Sequence, residues 1–430
     1  MTKLTQSFEH PLFLGGWFFL SGGNIDDRIL SFWHQYSLML IILAYFGALI
    51  FVRGIVLSPW VFLFPALFVY MLVTGFFVGD VGTEVIKVIA YSFVVVMAAF
   101  AANKLTLLAF LETLVVSLFL LLIVNIAVSA FLPHIGLEAG KFEGDWKGIY
   151  DQKNALGRVG ALLMVSSMLL MFYSRDRAMQ LYSLFALVSA VIVTLNTGSR
   201  TGLATGVLVA LITFAFGLIY YVLKSNYLYK KAFITILAAE FLIASLLVAM
   251  NIEVIDLFSG HDGVSIYGNF LSLTGRLTIW DFALTHINGV HFWFGYGLDG
   301  FWTKENFYLF GPIQGMGNFF PEDAHNGYID IVVQGGFLGV VLYGIIFYLV
   351  MKKFVKNDSF GFKEVIVCFA FLMLFLISNI TESYTTKSTN IIGFLVVYIS
   401  AFIFFNDSDG KKIHVFPFGY VKKYLKWNGE

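Results

Sequence analysis

Three arginines stand at or near the start of helical segments, where a cation is least expected. Arg158 lies just inside one apolar run, Arg200 opens another, and Arg276 opens a short amphipathic segment. A helix N-terminus already carries partial positive charge, so an arginine there invites a counter-anion. Unpaired backbone N–H groups in the first turn add to such a site. The planar guanidinium fork suits two oxygens of one phosphate group. The competing explanation is that each cation pairs with a nearby acid or reaches to lipid headgroups. That explanation is kept for Lys141, Lys147 and Lys153. For Arg200 and Arg276 together a held anion is the better reading, because their surroundings are unusual. Asn196-Thr197-Gly198-Ser199 precede Arg200 and supply turn and capping residues. After Arg276, residues Leu277, Trp280, Leu284 and Ile287 recur at helical spacing, which predicts an interfacial helix anchored by Trp280.

His325 is the candidate base. It follows Glu322-Asp323-Ala324 and precedes Asn326-Gly327, at the start of a predicted span. A helix N-terminus lowers a histidine's pKa, which predicts a neutral imidazole able to accept a proton. Asp323 or Asn326 could orient the ring. A lone histidine is more often structural, so the role depends on context. His261, His286 and His291 show no metal-ligand spacing, and the one cysteine, Cys368, sits in an apolar run. No metal and no cofactor is expected.

The elements that must position these residues are membrane spans. The chain is 59% hydrophobic and 13% charged, against about 25% charged in an average soluble domain. Apolar runs of roughly 20 residues predict an all-α polytopic membrane protein rather than a barrel. Twelve spans are expected, near 8–22, 34–52, 60–78, 85–102, 105–131, 156–173, 178–196, 201–223, 232–250, 327–350, 363–381 and 390–405. No cleavable signal peptide is expected. The net charge is zero, which gives no reason to expect a nucleic acid partner.

Lysine and arginine placement orients the spans. Lys104, Arg175, Arg177, Lys224, Lys230, Lys231, Lys352, Lys353 and Lys356 mark the cytoplasmic side, with both termini. Acids such as Asp26, Asp80, Glu138, Asp145 and Asp256 mark the outer side. The long 251–326 segment between the ninth and tenth spans falls outside, within a single membrane domain of residues 1–430. A chain that keeps its other loops short concentrates function in a loop of this length.

At these residues the chain resembles the O-antigen ligase and O-antigen polymerase superfamily, and most of all its exopolysaccharide-production polymerase branch. The resemblance is carried by Trp146-Lys147-Gly148-Ile149-Tyr150-Asp151-Gln152-Lys153-Asn154-Ala155-Leu156-Gly157, by Gly198-Ser199-Arg200-Thr201, and by Gly275-Arg276 followed by Trp280. It continues through Gly295-Tyr296-Gly297, Ala324-His325-Asn326-Gly327-Tyr328 with Gly335-Gly336, and Asn379-Ile380-Thr381-Glu382-Ser383. These pieces run in the family's order. Gln152 stands where the family often has histidine, so no acid–base role is expected there.

The resemblance implies a membrane-embedded glycosyltransferase of the GT-C type, independent of metal. Its donor would be an oligosaccharide on undecaprenyl diphosphate, used at the periplasmic face of the bacterial inner membrane. Its acceptor would be a glycan or a lipid-linked glycan, and membrane lipids and a chain-length regulator are further candidate partners. Arg200, Arg276 and Arg158 would hold the diphosphate, and His325, with Asp323 and Asn326, would take the acceptor's proton. The Gly295-Tyr296-Gly297 run and residues 300–321 would face the acceptor. A ligase that moves a finished glycan to lipid A–core or protein is the alternative within this chemistry. A lipid-linked sugar transporter is the alternative outside it. Transport sites usually place ionisable residues near the midplane, and here only Glu112 and Glu240 stand out within spans.

Overall fold

The computed structural model of the chain describes residues 25–30, five residues within 41–47, 55–78, 84–223, 263–266, 269–272, 276–310, 313, 321–357, 359–387, 390–406 and 413–415. The expected spans 8–22 and 232–250, and most of 34–52, lie outside these residues.

The described chain is built of helices that run back and forth. They are α1 (Leu63–Val78), α2 (Glu84–Lys104), α3 (Leu107–Phe131), α4 (Lys153–Tyr173), α5 (Arg177–Asn196) and α6 (Arg200–Leu223). Three short helices follow: α7 (Arg276–Thr285), α8 (Gly289–Phe294) and α9 (Lys304–Phe310). The last three are α10 (Gly327–Lys356), α11 (Phe362–Thr381) and α12 (Ile391–Phe405). Eight helices among the described residues are long and apolar enough to cross a membrane, and the apolar α12 is shorter. These nine coincide with the nine expected spans that fall on described chain. Four short strands were not expected. They pair antiparallel as β1 (Ile55–Leu57) with β4 (Ile413–Val415), and as a hairpin of β2 (Gly263–Ile266) and β3 (Asn269–Ser272).

Side-chain caps fix several helix starts. Thr106 accepts from Ala109 N–H at 3.2 Å, Asp176 from Ala178 N–H at 3.0 Å, and Asn390 from Gly393 N–H. Burial then sorts the helices. The described residues of α11 and α12 are mostly buried, whereas α5 exposes a stripe of Leu181, Phe185, Val188, Ile192 and Leu195. That spacing is one apolar helix face, and in this chain it reads as the lipid-facing one. Helices α4 and α6 approach closely through glycine. A Cβ on Gly202 would come within 2.7 Å of the Gly157 carbonyl oxygen. Small residues give membrane helices their closest contacts, and this one sets the starts of α4 and α6 side by side.

Helix α10 is interrupted at Gly336, where φ is 60°. The interruption strips the preceding carbonyls of their intrahelical partners, which must be replaced. The segment between α8 and α9, with Tyr70 of α1, supplies them. Tyr296 N–H donates to Val333 and Gly297 N–H to Gln334, both at 2.9 Å, and the Tyr70 hydroxyl donates to Gly335 at 2.9 Å. Gly295 and Gly297 both have positive φ, and their Cα hydrogens face the backbones of α10 and α1. The Gly295-Tyr296-Gly297 run therefore docks the loop onto the bundle. It does not present itself to an acceptor as expected, because its backbone is engaged and Tyr296 is buried with its hydroxyl on the His286 carbonyl at 2.8 Å.

The loop has a small core of its own. Ile279, Ala283, Tyr296, Phe301, Trp302, Ala324, Ile329 and Val333 form one buried cluster. It ties α7, and with it Arg276, to the first turns of α10.

Replacing Gly336 with alanine places a Cβ against the backbone of Trp293 to Gly295 and forces a left-handed conformation that costs about 1–3 kcal/mol. Gly336→Ala should lower the thermal unfolding midpoint of the detergent-purified protein. An unchanged midpoint would show that α10 tolerates a straight path.

Candidate active site

One end of the bundle is assembled from helix ends. The lysines there are taken up by acids. Lys147 Nζ lies 2.8 Å from Asp26, and Lys153 Nζ lies 2.6 Å from Asp145 and over the Phe142 ring. Lys153 N–H also donates to Glu138 at 2.7 Å, capping the start of α4 from outside the helix. Gly148, at φ 65°, lets the preceding loop pass Asn125, whose side-chain oxygen accepts Ile149 N–H at 2.9 Å. The 146–153 stretch is thus a brace for the start of α4.

Two of the three arginines converge on one carboxylate. Arg158, in the second turn of α4, places Nη1 3.2 Å from Glu382 Oε2. Arg276, the first residue of α7, places Nη2 3.4 Å from Glu382 Oε1. Arg200 is exposed at the start of α6, the helix packed against α4 at Gly157 and Gly202. Glu382 caps the C-terminus of α11, and its side chain is only 9% exposed. A negative charge is unfavourable at a helix C-terminus, so Glu382 requires these cations.

Asn379 makes that placement possible. Its side-chain oxygen accepts Tyr384 N–H at 3.0 Å, Thr385 N–H at 3.2 Å and the Thr385 hydroxyl at 2.9 Å. The chain therefore turns sharply after α11 and presents Glu382 inward.

His325 sits between two carboxylates. Its Nδ1 is 3.4 Å from Asp323 Oδ1 and 3.8 Å from Glu382 Oε2. Nδ1 is buried without a completed hydrogen bond, while the ring as a whole is 35% exposed. The backbone that carries the ring is tightly held. His325 has φ 49°, a left-handed conformation that only local bonding sustains. Asp323 Oδ1 accepts His325 N–H at 2.7 Å, and Lys387 Nζ lies 2.6 Å from Asp323 Oδ2. Trp280 donates its indole N–H to the Ala324 carbonyl at 2.8 Å. Ala324 N–H in turn donates to buried Asp330 at 3.2 Å, which also accepts from Trp302 at 2.8 Å. Trp280 is therefore a tether for the histidine loop rather than the membrane anchor expected from its helical spacing.

Asn326 has a structural task. Its side-chain oxygen accepts Tyr328 N–H at 3.0 Å and Ile329 N–H at 3.2 Å, capping α10. With that oxygen engaged, orientation of the imidazole falls to Asp323 and Glu382.

The electrostatics overturn one expectation. The carboxylate of Glu382, more than any other group, raises the pKa of His325; burial opposes this and Asp323 adds to it. A lowered pKa was expected from the helix N-terminus. The dipole effect is confined to the first turn, and there Asn326 already satisfies the free N–H groups. Glu382 and Asp323 are each pushed up by burial. Neighbouring cations more than offset this, chiefly His325 and Arg158 for Glu382 and Lys387 for Asp323, so both end below the usual carboxylate range. Three fixed cations, Arg158, Arg276 and Lys387, face the carboxylates of Glu382 and Asp323.

The sequence alone predicts no role for Glu382 or Lys387. The signal for Glu382 was available: an acid directly after a span is the mirror image of an arginine directly before one.

A histidine whose folded pKa is raised stabilises the fold most when protonated. That contribution is full below its ordinary value of about 6.5 and is lost as pH rises through the elevated one. The gap in unfolding midpoint between wild type and His325→Gln should therefore narrow as pH increases from 6 upward. A gap that widens would mean that the carboxylates do not face the ring.

Comparison with curated proteins returns no match. Residues 161–344 match a family model described as O-Antigen ligase. The matched stretch contains Arg200, Arg276, Asp323, His325 and Asn326, whereas Arg158, Glu382 and Lys387 lie outside it. Members of this family are glycosyltransferase-like enzymes, and the match supports the chain's resemblance to the O-antigen ligase and polymerase superfamily.

Proposed function

We propose that this protein is a polysaccharide polymerase that transfers a glycan from undecaprenyl diphosphate to a sugar hydroxyl. The observation that carries the reading is the convergence of Arg158 and Arg276 on one anion, 3.8 Å from the buried nitrogen of His325. An anion fork beside a base matches the two needs of the reaction. The leaving diphosphate gathers negative charge, and the attacking hydroxyl must lose a proton.

In this reading the acceptor oxygen attacks the anomeric carbon as its proton passes to His325 Nε2. The bond from the anomeric carbon to the diphosphate oxygen breaks, and its electron pair leaves with the diphosphate. Attack from the opposite side inverts the anomeric centre. Asp323 and Glu382 hold the imidazolium that results. Arg158 and Arg276 stabilise the leaving group, and Arg200 adds charge at the start of α6. Fixed charges aimed at a developing anion are a major source of rate enhancement and need no metal. The 251–326 segment is the catalytic loop, and the reaction takes place at the periplasmic face of the inner membrane.

Acceptor choice separates two versions of this chemistry. The Lys153-Asn154-Ala155-Leu156-Gly157 run resembles the exopolysaccharide polymerases, so both substrates would be lipid-linked repeat units. The description of the matching family, O-Antigen ligase, supports the second version, transfer to lipid A–core or protein.

Purified protein given lipid-linked repeat units in detergent should lengthen the glycan, with chelator present or absent. Loss of activity on chelation would contradict the metal-free reading, and no extension at all would favour a transporter. His325→Ala should reduce the rate by about 10²–10⁴-fold. Arg276→Lys should lose most activity, because a point charge does not replace the fork. Full activity in either variant would remove that residue from the site. A base must be neutral to act, so kcat/KM should fall on the acid side with a midpoint above the ordinary histidine value of about 6.5. A midpoint below it would contradict the base assignment.

A further inference from the structure

We infer that Glu382 is an internal anion that occupies the donor's place between Arg158 and Arg276, and that the arriving diphosphate displaces it towards His325. The inference rests on the donor site proposed above. Three observations lead to it.

The first is the geometry of the arginine contacts. Each guanidinium meets a different oxygen of Glu382, at 3.2 Å and 3.4 Å. Charge-assisted bonds normally close to about 2.7–2.9 Å. The carboxylate offers each fork a single oxygen, whereas a diphosphate has more oxygens and a longer span.

The second is the state of His325. Its Nδ1 is buried and lacks a completed hydrogen bond, with Glu382 Oε2 at 3.8 Å. A shift of the carboxylate by about 1 Å would bring that pair to hydrogen-bonding distance.

The third is charge. Glu382 is nearly enclosed. The groups around it are Arg158 on α4, Arg276 on α7, His325 and Asp323 before α10, and Tyr384 and Lys387 after α11. Once the arginines turn to a diphosphate, the buried carboxylate retains chiefly His325 and Lys387 as partners. It then favours the protonated imidazole, which is the form His325 takes on as it accepts the acceptor's proton. Donor binding and proton acceptance are thereby linked through one side chain. Glu382 acts through His325 and is a positioning residue.

The consequence is a split that a purely structural residue would not give. Removing the charge should free the arginines and tighten donor binding, yet slow the chemistry. Binding of farnesyl diphosphate to detergent-purified protein serves as the probe. Glu382→Gln should bind it several-fold more tightly than wild type, while kcat for glycan extension falls by at least about tenfold. The acid-side midpoint of kcat/KM should move down towards that of an unperturbed histidine. Unchanged or weaker binding in Glu382→Gln, alongside loss of binding in Arg158→Ala and Arg276→Ala, would overturn the inference and leave the donor site standing. Binding that ignores both arginines would overturn the donor site and the inference together.

Glu382→Ala with added formate gives a second route. Formate should return farnesyl diphosphate affinity towards the wild-type value and recover part of kcat. If formate alters neither quantity, Glu382 holds structure only.

Discussion

A carboxylate enclosed at the end of a helix is untenable alone, and this end of the bundle is organised around that constraint. Glu382 ends α11, where the helix dipole opposes negative charge, and it is compensated by arginines from α4 and α7 and by the imidazole before α10. Removing one partner of a buried charged cluster commonly costs about 3–5 kcal/mol. The carboxylate therefore gathers four parts of the chain that are distant in sequence. It also keeps two guanidinium groups aimed inward at one point, where they would otherwise turn to solvent or lipid headgroups.

That gathering depends on a second feature lower in the bundle. The interruption of α10 at Gly336 frees carbonyls that accept from Tyr70, Tyr296 and Gly297. In a membrane, a broken helix is tolerated only where such groups regain partners. Here the partners come mostly from the loop between α8 and α9, so the break and the loop's docking sustain each other. The loop's own apolar cluster then carries α7 to its place. Arg276 reaches Glu382 because Gly295 and Gly297 allow the loop's backbone to lie against α10 and α1.

The sequence made the spans and the oddly placed cations legible, for good physical reason. Apolar runs and lysine asymmetry are one-dimensional signals, and every expected span that falls on described chain has a helix. Arg158, Arg276 and His325 were visible because each sits where its charge or chemistry conflicts with its helix position. What could not be read was how they pair. Lys147 and Lys153 meet acids as expected, but Glu382 meets two arginines and a histidine from across the bundle. Sequence spacing does not encode that convergence. The direction of the His325 shift is hidden for the same reason: the helix start is visible in the sequence, and the distant carboxylate that outweighs its dipole is not. Trp280 and Asn326 were likewise assigned by local pattern, whereas their hydrogen bonds serve the histidine loop and the α10 cap.

The central claim is that the space between Arg158 and Arg276 is an anion site in which Glu382 stands until a diphosphate arrives. The most direct measurement is an electron cryo-microscopy map of the protein with undecaprenyl diphosphate in a lipid nanodisc. The account predicts phosphate density within hydrogen-bonding reach of both guanidinium groups, with the Glu382 carboxylate withdrawn towards His325. Phosphate density elsewhere on the protein, or Glu382 still bridging the two arginines with the lipid bound, would contradict it.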